Sequence, residues 1–98
     1  MFTGTLAIDV LLGDVHSLKE KRSVVRPILA DLRHRYEVAV AEAGHLDLHR
    51  RALIGVAVVA ADAAHCERVL HSAVRLVEDH VEVTVLSSRQ RVYALEDE

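Results

Sequence analysis

The chain has 98 residues, of which 51% are apolar and 28% are charged, and only Phe2, Tyr36 and Tyr93 are aromatic. This length fits one small domain, residues 1–98, and the apolar content excludes intrinsic disorder. The single cysteine excludes a disulfide framework, and the formal net charge of −3 gives no overall attraction to nucleic acid or anionic lipid. We expect a reducing, cytoplasmic setting. No membrane contact is expected either, because the longest apolar run, residues 52–61, is about half the ~20 residues that a spanning helix needs.

The first half of the sequence predicts a strand, a helix and a second strand. The side chains of residues 2–12 alternate between the two faces of an extended chain, which is typical of a strand. A capping box at Ser17 and the apolar spacing after it predict a helix over residues 18–35. Pro27 lies inside this helix, so we expect a kink or a 3₁₀ turn there. Residues 38–41 alternate again and predict the second strand.

The second half predicts two further strands with a helix between them. Residues 52–60 are almost continuously apolar, which is typical of a buried central strand. A second helix is predicted over residues 62–79, and residues 81–86 alternate as a fourth strand. Residues 89–95 either continue that strand past a bulge or pair elsewhere. The order βαββαβ predicts a ferredoxin-like α+β sandwich, with a four-stranded antiparallel sheet in the order 4-1-3-2 and both helices on one face.

This topology gathers basic side chains at one end of the sheet. The loop before the first helix, the loop between strands 2 and 3, and the loop before strand 4 all emerge there. We predict a phosphate-binding surface formed by the start of the first helix and five cationic side chains. These five are Lys19, Lys21, Arg22, Arg50 and Arg51. The alternative is that the same charges only form a solvated surface near Glu20 and Asp47.

The sheet face away from the helices is predicted to carry small, apolar side chains. Such a face favours a protein contact, most simply a homodimer packed through the two sheets. The residues predicted for this interface are Ala7, Leu11, Ala39, Ala57 and Val59. No aromatic ring is expected on this face, which argues against the stacking of RNA bases there. The alternative is that residues 89–95 fold over it.

The sequence contains no pattern typical of a catalytic site. His45, Asp47 and His49 alternate and could offer two imidazoles and a carboxylate to zinc, but no fourth ligand is evident. We therefore predict no metal and no other cofactor. Cys66 falls on the apolar stripe of the second helix, which favours a buried side chain over a nucleophile. Residues 13–16 lack the arginine that a phosphate cradle like that of acylphosphatase requires, so we predict that the protein is not an enzyme.

Four segments together resemble the YlxP-like family of small bacterial proteins. They are SLKEKR at residues 17–22, VAE at 40–42, HLDL at 45–48 and RALIGVAVV at 51–59. The resemblance covers nearly the whole chain, and it implies a ferredoxin-like fold with no established catalytic residues. Genes of such proteins often lie beside genes for translation initiation and ribosome maturation, which implies, by association, a role near ribosomal RNA.

Taken with the basic end of the sheet, the resemblance favours a non-catalytic module that binds structured RNA or a ribosomal particle. The alternative is a protein-interaction or assembly subunit that acts through the apolar sheet face.

Overall fold

The computed structural model describes residues 1–96 and has the predicted βαββαβ order. Its elements are β1 (Phe2–Leu12), α1 (Leu18–Arg35), β2 (Ala39–Gly44), β3 (Arg51–Ala60), α2 (Ala63–Glu78) and β4 (Val83–Ala94). The strands form one antiparallel sheet in the order β2-β3-β1-β4. The ferredoxin-like fold and the strand order expected from the sequence are therefore confirmed.

Both helices begin at a side chain that caps free backbone amides. Ser17 Oγ accepts a hydrogen bond from the backbone N–H of Glu20 at 3.1 Å, and Asp62 Oδ1 accepts one from the backbone N–H of His65 at 2.7 Å. α1 is α-helical on both sides of Pro27, although the Pro27 nitrogen has no hydrogen to donate, so the 3₁₀ turn considered there does not form. Neither of the two helices in residues 1–96 is long and apolar enough to cross a membrane.

The core lies between the two helices and one face of the sheet. It is aliphatic, and its members come from alternate positions of β1 and β3 and from one stripe of each helix, including Ile8, Ile28, Leu32, Ile54 and Leu70. Cys66 on α2 is fully buried, as predicted, and its Sγ lies 3.8 Å from the carbonyl oxygen of Phe2. Tightly packed aliphatic side chains fill this layer.

One extra residue interrupts the pairing of β4 with β1. Asp9 pairs with Ser87 and Val10 pairs with Val85, so Leu86 has no partner and forms a β-bulge. Because side chains alternate along a strand, an extra residue exchanges the two sets of side chains beyond it. Odd-numbered residues of β4 therefore face the core before the bulge and the opposite side after it.

The sheet face away from the helices is called the open face below. Beyond the bulge, β4 continues along the whole length of β1 as far as Ala94. The sequence alternative in which the strand continues past a bulge is thus confirmed, and residues 89–94 do not fold over the sheet. Within the part of the chain that the structure describes, the open face is left uncovered.

Candidate functional site

Loop contacts bring the start of α1 and the β2–β3 connection to one end of the sheet. Arg50 Nε donates a hydrogen bond to the carbonyl oxygen of Gly13 at 2.7 Å, and the backbone N–H of Gly13 donates to the carbonyl oxygen of Glu82 at 3.2 Å. The three connections expected to meet therefore do so. We call this region, residues 13–22 and 44–51, the basic end.

Lys21 is not a free cation at the basic end. Its side chain is 2% exposed, and its Nζ lies 2.7 Å from Glu42 Oε2 and 2.7 Å from the carbonyl oxygen of His45. Glu42 Oε2 has no aligned hydrogen-bond donor among residues 1–96, so charge attraction to Lys21 is what holds it. An ammonium group buried and paired in this way cannot reach a phosphate. The prediction for Lys21 is corrected accordingly: it fastens α1 to the β2–β3 loop.

The sequence did contain a signal for this burial. Lys21 precedes the buried residues Val25 and Ile28 by four and seven positions, which places it on their stripe of α1. Glu42 follows the buried Val40 by two positions and so lies on the helix-facing side of β2. Opposite charges on the buried sides of two packed elements predict an ion pair, because an unpaired charge there would be costly.

His45 connects the buried pair to the open face. Its backbone φ of 57° lies in the left-handed region, where histidine is commoner than most residues with a side chain. Its carbonyl oxygen accepts hydrogen bonds from Lys21 and from the backbone N–H of Leu48, the latter at 3.0 Å. Its Nε2 lies 3.5 Å from Asp9 Oδ1. The loop conformation at His45 thus depends on contacts with both α1 and the sheet.

Arg51 is paired with an acid on the open face. Its Nε and Nη2 donate to the two carboxylate oxygens of Asp9 at 3.1 and 2.6 Å. This hydrogen bonding is the main reason that the pKa of Asp9 lies below its ordinary value; the charges of Arg51 and His45 act the same way, and partial burial opposes them. The charge that Arg51 was predicted to bring to a phosphate is therefore largely compensated by Asp9.

Lys19, Arg22 and Arg50 remain as exposed cations. Lys19 and Arg22 form no ion pair within residues 1–96, and Arg50 uses its Nε on backbone carbonyls, which leaves its two terminal nitrogens exposed. The amino end of α1 already holds a carboxylate, because Glu20 Oε1 accepts a hydrogen bond from the backbone N–H of His16 at 3.0 Å. The Glu20 carboxylate and Ser17 Oγ thus engage the backbone N–H groups of His16 and Glu20.

His45, Asp47 and His49 do not come together as metal ligands. Residues 1–96 contain no group of three or more His, Cys, Asp or Glu side chains that could hold a metal ion. His80 Nε2 lies 3.3 Å from Asp31 Oδ2 of α1. The histidines of the described region are thus distributed among separate contacts.

The five residues predicted for an interface all lie on the open face by strand register. These are Ala7, Leu11, Ala39, Ala57 and Val59. Small side chains of three strands leave a shallow depression of about 340 Å³ there, lined among others by Thr5, Ala39, Ala41, Gly55 and Ala57. The five residues therefore share one face of the sheet, and its use as an interface stays a prediction.

The open face also carries an aromatic ring that the sequence analysis did not expect. Beyond the bulge at Leu86, strand register places Arg89, Arg91 and Tyr93 opposite residues of β1 that lie on the open face. Val92, between the last two, packs against the core on the other side. Tyr93 is 50% exposed, so the prediction that this face has no aromatic ring is wrong. The position of the bulge determines which face the later side chains of β4 lie on, and the alternation of residues 81–86 does not reveal where the bulge is.

Comparison with known proteins identifies relatives over most of the chain. A family model described as "Protein of unknown function (DUF503)" matches residues 3–90. The chain is also similar to a Bacillus subtilis (strain 168) protein described as "Uncharacterized protein YlxP", with 28% identity over 80 residues. That alignment covers 82% of this chain and 87% of the Bacillus protein.

Replacing Lys21 by Met is expected to destabilise the protein by about 3 kcal/mol or more, because it leaves the Glu42 carboxylate without its buried partner. The measurement is chemical denaturation at pH 7. Lys19→Met removes an equal charge from the exposed side of the same helix, and it should cost less than about 0.5 kcal/mol. Adding Glu42→Leu to Lys21→Met should recover part of the loss. Equal stabilities for Lys21→Met and Lys19→Met would contradict the structural role of Lys21.

Replacing Asp9 by Asn is expected to lower the free energy of unfolding at pH 7 by about 1 kcal/mol, because the ion pair with Arg51 is lost. Since folding lowers the pKa of Asp9, its contribution is complete above the unfolded pKa and disappears as the pH falls through the folded one. The difference between wild type and variant should therefore shrink below about pH 4. Asp14→Asn, which alters an exposed pair with His16, serves as the control. A difference independent of pH would count against the pairing of Asp9.

Proposed function

The chain belongs to the DUF503 family and is YlxP-like, and from that premise we propose that it is a non-catalytic module that binds structured RNA or a ribosomal particle. In this proposal, the phosphates contact Lys19, Arg22 and Arg50 at the basic end. Lys21 and Arg51 support that surface by fixing the loops on which it lies. We also propose that the protein acts in the cytoplasm and needs no cofactor.

The observation that carries the proposal is a set of three exposed cations, Lys19, Arg22 and Arg50, that form no ion pair within residues 1–96. Asp14 Oδ1 lies 2.8 Å from His16 Nε2, and Glu20 accepts hydrogen bonds at the start of α1. Neither these carboxylates nor that of Asp47 forms an ion pair with the three cations, which are therefore free to contact phosphate oxygens. Contacts of this kind position RNA without reading its bases.

The buried state of Cys66 supports a binding role over a catalytic one. A thiol with no exposed surface in an aliphatic core is not reachable by a substrate. Its Sγ lies 3.8 Å from the backbone oxygen of Phe2, which cannot act as a general base.

The second candidate function is a protein-interaction or assembly subunit, most simply a homodimer, that uses the open face. The observation in its favour is the exposure of large apolar side chains, with Val59 64% exposed next to the depression lined by Ala57, and Leu86 48% exposed at the bulge of β4. Exposed apolar surface of this kind marks contact sites in many proteins.

RNA binding is expected to weaken steeply as salt rises, because phosphate contacts release counterions. Fluorescence anisotropy with a labelled RNA hairpin, measured from low to physiological salt, gives the slope of log affinity against log salt. Lys19→Gln with Arg22→Gln should weaken binding and reduce that slope by about 1.5 to 2.

The charge-matched control is Arg68→Gln with Arg75→Gln on the exposed surface of α2. It removes the same two charges at a distance from the basic end, and it should leave the slope unchanged. If the two double substitutions reduced the RNA affinity equally, or if the affinity did not depend on salt, the proposed role of the basic end would be contradicted.

Ala57→Glu separates the second candidate function from the first. If two copies pack through their open faces, a carboxylate at the centre of the depression should abolish the dimer, as seen by sedimentation equilibrium. Lys19→Gln with Arg22→Gln should then leave the dimer intact. A protein that sediments as a monomer before any substitution would contradict the homodimer.

A further inference from the structure

The open-face side of β4 carries a row of two guanidinium groups and one aromatic ring. Arg89, Arg91 and Tyr93 follow one another at intervals of two positions, so neighbouring members lie about 6.7 Å apart along the strand. All three are exposed at the edge of the sheet. We call this row the β4 stripe.

The β4 stripe has no acidic counterpart on its own face. Strand register places one acid, Asp9, on the open face of the described strands, and both of its carboxylate oxygens bind Arg51. The other acid within a described strand, Glu42, faces α1. Arg89 and Arg91 form no ion pair with any residue in the range 1–96. The open face is therefore cationic, although the whole chain is formally anionic.

The surface beside the stripe is flat and apolar. It continues from Thr5 on β1 across Gly55 and Ala57 on β3 to the edge strand β2. Side chains this small leave the sheet accessible to a planar group lying on it. A flat apolar surface bordered by two free guanidinium groups and a tyrosine ring suits a ligand with planar apolar parts and regularly spaced negative charges.

We infer that the open face binds an unpaired RNA strand, with phosphates on Arg89 and Arg91 and one base stacked on the ring of Tyr93. The inference rests on the proposed function for the choice of RNA as the ligand, and it adds the class of RNA and a second surface. The spacing of the two arginines along β4 is close to that of successive phosphates in an extended strand. Stacking on an aromatic ring requires a base that is free of pairing.

Charge favours this occupant over a second copy of the chain. Two open faces packed together would bring four uncompensated guanidinium groups into one interface, and like charges at an interface are costly. A paired RNA helix fits less well than an unpaired strand, because its bases are stacked inside and its grooves do not match a flat sheet.

The test is fluorescence anisotropy with an unstructured RNA of about 12 nucleotides and with the same sequence annealed to its complement. Wild type should bind the single strand more tightly than the duplex. Tyr93→Leu should weaken single-strand binding about tenfold, whereas Tyr93→Phe, which keeps the ring, should bind like wild type. Arg89→Gln with Arg91→Gln should weaken binding and reduce its salt dependence, and Arg68→Gln with Arg75→Gln is the matched control.

The outcomes separate this inference from the proposed function. Single-strand binding that is lost in the Lys19 and Arg22 variant but unaffected at the β4 stripe would overturn the inference and leave the basic end in place. An absence of binding to either RNA would overturn both. A dimer that dissociates on Ala57→Glu would show that a second copy occupies the open face, and it would overturn the inference alone. Because the substituted side chains of the basic end, the β4 stripe and α2 are exposed, unchanged thermal unfolding should accompany each variant at those positions.

Discussion

The buried ammonium of Lys21 is the contact on which the arrangement of both candidate surfaces depends. It ties α1 to Glu42 of β2 and to the backbone of His45, and His45 in turn reaches Asp9 on the other side of the sheet. Asp9 then holds Arg51. This series of polar contacts passes from the helix layer to the open face and fixes the β2–β3 loop in between. Disturbing one contact should therefore affect the positions of cations on both surfaces.

The sequence predicts the fold well because each element carries its own periodic pattern. Strands, helices and caps are determined by neighbouring residues, and the right-handed crossovers then leave one strand order. The site was less predictable. Lys21 was predicted at an exposed phosphate-binding surface because it lies in a run of charges at residues 19–22. Its spacing from Val25, by contrast, indicates that it is buried. The charge of Arg51 is compensated by an acid that lies 42 residues away in the sequence, and no local pattern reveals such a pair.

The two candidate surfaces meet at adjacent residues. Arg50 turns toward the end of β1 at the basic end, while Arg51, next in the chain, lies on the open face. Arg50 directly precedes β3 and Arg51 is its first residue, so one dipeptide contributes to both surfaces. An extended ligand on the open face could therefore continue around this end of the sheet. The net charge of the whole chain conceals this arrangement, because most of its acids lie outside the strands.

The bulge at Leu86 determines which face of the sheet each side chain of residues 87–94 lies on. The identity of each surface side chain there depends on how many residues precede it in the strand, and not only on which residues they are. A chain lacking one residue at this point would turn the arginines and the tyrosine toward α2 and place Gln90 and Val92 on the open face. Relatives that differ by a single insertion or deletion in this strand would thus share almost the same composition and present entirely different surfaces.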